Sequence, residues 1–315
     1  MAGSGAPGTL SKRNTAWNHY TKFLKVINNK GDPISPTQLT VCLFIIYLFR
    51  RELTYGTVRS YLFSLTSEIK LRGGKDILQP FDSWFIRSTL KHYQLKLGNA
   101  PIHYRRPLTI DMVKRLFEST DLTMYNNRVF MTMIVVGVYG LFRIGELCAA
   151  GSKGTQAYIK NQDVTCKGKV AVIKLYGTKT DLDKIGITKY FSDTGKVTPN
   201  PFRLIYMLKS LKKASVKKTD PFFTLEDGKN VSRVMLVQWM KQKLLICFPN
   251  STASEWSGIS LRKGGATSAM RAGIHSEIIQ KMGGWKSDAY KSYIDHAQVD
   301  VTNAQVRICA FYNNV

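Results

Sequence analysis

At 315 residues the chain is long enough for two domains, a typical one taking roughly 100 to 200 residues. An apolar share of 44% provides material for real cores and excludes a disordered polymer. The 46 Lys and Arg against 21 Asp and Glu leave a formal charge of +25, which calls for a polyanionic partner: nucleic-acid phosphate first, an anionic membrane surface second.

The opening "MAGSGAPGTL" has neither the basic start nor the apolar core of a signal peptide, so residues 1–10 read as a flexible leader on a chain that is not secreted. Residues 11–97 read as a four-helix domain. Apolar residues recur at three- and four-residue spacing in "AWNHYTKFLKVI", "LTVCLFIIYLF", "TVRSYLFSLTSEI" and "SWFIRSTLKHYQLKL", with Gly, Pro and Asn punctuation between them. The stretch 98–107 carries two prolines and the pair Arg105 and Arg106, and is expected to be a basic interdomain linker.

Residues 108–315 then form the second domain. "LTIDMVKRLFEST" opens a helix with Thr109 as its cap, and "NRVFMTMIVVGVYGLF" reads as a core helix. The β-rich runs "KVAVIKLY" and "IGITKYF" flank a turn-rich "GTKTDLDK", as in an antiparallel hairpin, and helices return from Pro201. The fold class is therefore mainly α with a small antiparallel β-sheet, a helical domain followed by an α+β domain. The apolar runs Val41–Phe49 and Phe130–Phe142 fall short of the ~20 residues that span a bilayer, so both are read as buried helices and no membrane partner is expected. The lysine-rich "LKSLKKASVKK" reads as a solvated face.

The chain carries no phosphate-loop, dinucleotide, zinc-protease or nucleophile-elbow motif, its five histidines lack ligand spacing, and its five cysteines are scattered. No metal site and no cofactor are expected. Cations and tyrosines remain. Arg143 leaves the apolar helix just before Gly145, and Glu146 is placed three residues on to orient it. Arg262 lies in "ISLRKGGATSAM", whose glycines permit close backbone approach, and Lys179 lies in the hairpin connection. In "GGWKSDAYKSYI", Ser287 can cap a helix that puts Tyr290 and Tyr293 one turn apart on one face. Taken singly, each Arg or Lys reads as a surface charge and each tyrosine as a core or groove residue.

In chain order, however, "GLFRIGELCAA", a hairpin lysine and "SLRKGGATSAM" followed by "GGWKSDAYKSYI" resemble the tyrosine recombinase (phage integrase) family. The resemblance runs from about Ser11 to about Ile294, and the wording "RKGGAT" and "WKSDAY" is most like the eukaryotic mobile-element Crypton and DIRS-type recombinases. It implies a core-binding domain over 11–97 and a catalytic domain over 108–315. Arg143 and Arg262 then resemble the arginines that grip the scissile phosphate, Lys179 the acid for the leaving 5′ oxygen, and Trp285 the His/Trp position. Tyr293, followed by apolar Ile294, resembles the nucleophile, with Tyr290 as second choice. Arg105, Arg106 and Lys263 are expected to contact DNA. The family's usual histidine three residues before the second arginine is replaced by Ile259.

Those roles make physical sense. Permanently charged guanidiniums stabilise charge building on phosphoryl oxygens, and a lysine supplies the proton that arginine cannot release. A phosphotyrosine bond conserves the energy needed to rejoin the strand. The resemblance implies duplex DNA as partner, a dimer on each core site and a tetramer in synapsis. It implies a nuclear location if the mobile-element likeness holds and a cytoplasmic one otherwise. Two other readings are a DNA-binding relative weakened or inactivated at Ile259, and a type IB topoisomerase.

Overall fold

The computed structural model describes residues 7–76, 84–97, 104–149, 158–177, 185–212 and 215–294. The chain divides into two compact units, Met1–Ile102 and His103–Val315.

Among the described residues the first unit holds four α-helices, α1 (Pro7–Val26), α2 (Gln38–Arg50), α3 (Tyr55–Leu71) and α4 (Trp84–Leu97). α1 starts inside the expected leader, because Pro7 sets the backbone for a first helical turn without forfeiting a needed N–H donor. Thr37 and Thr54 cap α2 and α3, each accepting a hydrogen bond from a backbone N–H three residues on. The apolar run of α2 buries one face, Val41, Phe44, Ile45, Leu48 and Phe49, against Tyr20 and Phe23 of α1 and Leu62 and Leu65 of α3. The Phe49 and Tyr93 rings stack at 4.3 Å and tie α2 to α4.

The second unit is built around α6 (Tyr125–Tyr139), buried without a break from Val129 to Val138. α5 (Ile110–Glu118), α8 (Pro201–Ser210), α9 (Arg233–Cys247) and α10 (Ile259–Arg271) surround it. The sheet is antiparallel in the order β1 (Val164–Lys167), β2 (Val170–Leu175), β3 (Ile187–Ser192). β1 is a strand the sequence does not announce, its four residues being too few for alternation to register. Among the described residues no helix is long and apolar enough to cross a membrane.

Two local expectations change. Thr109 stands at the N-cap of α5, but its side chain makes no capping hydrogen bond. In the lysine-rich run, Lys209 ties the Val164 carbonyl and Lys212 the Phe222 carbonyl at 2.6 Å, so part of that face braces backbone rather than water.

Residues 104–107, expected as linker, lie along the start of α10. The Arg106 amide donates to Glu255 O at 2.8 Å and the Leu108 amide to Ser260 O at 2.9 Å. Contact this close requires glycine. A Cβ on Gly264 would stand 1.9 Å from the Leu108 carbonyl oxygen, and one on Gly265 2.1 Å from that of Val138. Gly264→Ala is therefore expected to lower stability by about 2–3 kcal/mol, since backbone on both sides must move. Gly56→Ala, in exposed helix with nothing within 4 Å, should be neutral or stabilising by up to about 1 kcal/mol. Calorimetry of the two variants checks the contrast, and equal melting of both would refute the packing argument.

Candidate active site

α6 ends at Gly140, and the chain turns through Leu141, held in the left-handed region at φ 51°, into Phe142 and Arg143. The one-turn helix α7 (Ile144–Leu147) follows, and Glu146 closes that turn. Its carboxylate accepts from the Arg143 backbone N–H at 2.8 Å and from Arg143 Nη1 at 2.9 Å. A single buried acid thus fixes both the backbone and the guanidinium of Arg143, whose side chain stays 33% exposed. The result is an oriented cation with an open side.

Arg262 is placed differently. It sits in the first turn of α10, 2% exposed, with Nη1 donating to Leu141 O at 2.8 Å and Nη2 to Gly283 O at 2.7 Å. Among the described residues its Nε is buried with no hydrogen-bond partner. The guanidinium lies 3.9 Å from the Trp285 ring centroid and 5.4 Å from that of Tyr293. Burial, aided by the nearby Arg143 charge, pulls its pKa down to about 10, so it stays a cation at neutral pH.

The tyrosine segment reaches this cation by a tight route. α11 (Ser276–Gly283) follows His275 at its N-cap and is closed by Gly284, left-handed at φ 65° as a helix C-terminus favours. Trp285 folds back onto Gly283, where a Cβ would meet the ring at 1.7 Å. Ser287 then caps the 3-10 helix Asp288–Tyr293, in which three residues per turn stack Tyr290 and Tyr293 on one side. Tyr290 is buried with Leu141, Ala266 and Ile279, whereas Tyr293 is half-buried. The Trp285 ring centroid lies 6.2 Å from Tyr290 and 5.3 Å from Tyr293.

Arg143, Glu146, Arg262, Trp285 and the tyrosine pair are thus gathered at one place from three separate stretches of chain. Ile259 is the first residue of α10, one turn before Arg262 and 46% exposed. Lys179 lies outside the described residues. The expected DNA contacts form a second group. Arg105 donates to Ser254 O, Arg106 pairs with Glu255 at 3.6 Å, and Lys263 donates to Arg105 O at 3.1 Å beside the Tyr104 ring. All three hold residues 104–107 in place.

One site group escapes the sequence motifs. Lys189 is 8% exposed in β3, its amine donating to Met282 O and standing 5.7 Å from the Phe142 ring centroid. Burial first, then the Arg262 charge, brings its pKa down to about 8. The available signal is alternation: Lys189 occupies the inward register shared with Phe191, where an apolar residue belongs.

No protein-family model matches the chain and no curated protein does. Solved structures do. A XerH site-specific recombinase bound to a palindromic difH substrate, in a post-cleavage complex, aligns with TM-score 0.61 and 11% identity over 95% of this chain and 78% of that one. The Tn1549 transposon integrase in complex with transposon right-end DNA aligns with TM-score 0.60 and 13% identity, over 98% and 95%. A lambda integrase dimer bound to a COC′ core site aligns with TM-score 0.59 and 12% identity, over 93% and 90%. Mainly helical, with a three-stranded antiparallel sheet, the chain has the fold of the tyrosine recombinases.

Proposed function

We propose that the chain is a site-specific DNA recombinase or integrase that cuts and rejoins duplex DNA through a 3′-phosphotyrosine. The observation that carries this reading is the convergence of Arg143, Arg262 and Tyr293 in a fold whose solved examples include DNA complexes. In the proposed step the Tyr293 oxygen, its own proton passing to solvent, attacks the scissile phosphorus, the bond to the 5′ oxygen breaks, and the leaving strand takes a proton. That proton is assigned to Lys179 on sequence grounds alone. The guanidiniums of Arg143 and Arg262 take up the charge that builds on the phosphoryl oxygens. The displaced 5′ hydroxyl, or that of another strand, reverses the step, so rejoining draws on no ATP.

Tyr293 is preferred over Tyr290 because its ring is the one at 5.4 Å from the Arg262 guanidinium and because it is less deeply buried. The wording of its motifs leads us to place the chain in the mobile-element branch, acting in the nucleus. Two protomers on a core site and four in synapsis complete the reading.

The test is incubation with a nicked suicide duplex. Wild type and Tyr290→Phe are expected to form a covalent complex, and Tyr293→Phe none. Binding without a covalent complex in wild type would favour the DNA-binding relative, and relaxation of supercoiled DNA at any sequence would favour the topoisomerase. Duplex affinity should fall on the order of 10³-fold between about 50 and 200 mM salt, and a flat response would refute the phosphate-contact argument.

The two arginines should separate. Arg143→Ala is expected to melt close to wild type while slowing cleavage on the order of 10²- to 10³-fold. Arg262→Ala should lose stability as well, because the Leu141 and Gly283 carbonyls lose their donor. Differential scanning calorimetry beside the cleavage assay reads both effects.

A further inference from the structure

We propose that Lys189 is a positioning residue: from β3 it holds the Met282 carbonyl while Arg262 holds that of Gly283, and the two cations together fix the turn carrying Trp285 and Tyr293.

The last four carbonyls of a helix have no partner within it and form the negative end of its dipole. In α11 these belong to residues 280–283, and each has a donor. The Gln280 carbonyl accepts from the Trp285 amide and that of Lys281 from the Gly284 amide, both at 3.1 Å. Met282 O takes the Lys189 amine and Gly283 O takes Arg262 Nη2. The backbone pair shapes the turn, and the cationic pair ties it to the sheet and to α10.

Apolar packing alone would not select a lysine here. The amine faces Arg262 of α10 and Arg143 of the turn after α6, both repelling it. Glu146 of α7, the Phe142 ring and the Met282 carbonyl of α11 attract it. Burying a third cation beside two arginines weakens the folded state, so the gain must lie in what the lysine holds. The group held is the stretch from Met282 to Trp285, whose ring stacks on Arg262 and lies 5.3 Å from Tyr293. Movement of this turn displaces the tyrosine from the phosphate-gripping cation.

The clamp itself is independent of the activity, and its effect on cleavage rests on the reading above. Lys189→Met keeps the volume and removes the charge. Its expected signature is a fold at least as stable as wild type at pH 7, with amide protection at Gly284 and Trp285 reduced about tenfold, the equivalent of one charge-assisted hydrogen bond. Lys189→Arg should restore part of that protection. The stability gap should narrow as pH rises from about 8 towards 10.5. Over that window the unfolded wild-type chain binds more protons than the folded one, which gains stability with pH while the variant does not.

Cleavage by Lys189→Met should slow by up to roughly 10²-fold with duplex affinity unchanged. The wild-type rate should fall as pH passes about 8, and that limb should be missing from the variant. Unchanged amide protection in folded Lys189→Met would overturn the clamp whatever the activity. Reduced protection in a protein whose wild type forms no covalent complex would uphold the clamp and sink strand transfer alone. Should Lys189→Met not fold, wild-type protection corrected for intrinsic exchange decides. A fall at Gly284 and Trp285 above pH 8 supports the proposal, and a flat profile overturns it.

Discussion

The second unit is organised around the burial of one guanidinium. Taking Arg262 out of water is costly unless its donors are met and its charge is stabilised. Two backbone carbonyls meet Nη1 and Nη2, an aromatic face and the nearby Glu146 carboxylate stabilise the charge, and Nε alone stays unmet among the described residues. The remaining features of the site follow from this requirement. The Leu141 carbonyl is presented by a left-handed residue, and the Gly283 carbonyl by a helix that stops there. α10 itself lies close enough only because Gly264 and Gly265 bear no side chains.

Charge is arranged in two ways around that centre. Cations whose hydrogen bonds end on carbonyls, such as Lys189, Lys209, Lys212 and Lys263, brace the backbone of the second unit. Arg143 and Arg106 are paired with acids yet keep much of their side chains accessible, at 33% and 40%. The formal +25 therefore mixes internal struts with surface charge, and composition alone does not separate them.

Much of this was legible in the sequence because it rests on periodicity and on motif order. The α2 and α6 runs read as buried helices, and the glycines of "RKGGAT" read as a close approach, since both signals are local. β1 was not legible, being four residues long, nor was the helical start at Pro7 inside a Gly- and Ser-rich stretch. The link of Arg106 to Glu255 and of Leu108 to Ser260 spans some 150 positions and leaves no local trace. Lys189 was hidden for another reason. A lysine in a strand of a highly basic chain reads as solvent-facing, and only its inward register shows otherwise.

The contrast between the two arginines also bears on how such a chain would age under mutation. Arg262 is held by the needs of folding, so its retention in a lineage would follow from folding alone. Arg143 leans outward on a single acid, so fewer of its bonds serve the fold. Of the two guanidiniums, it is the one whose retention in a lineage would need a reason beyond the fold.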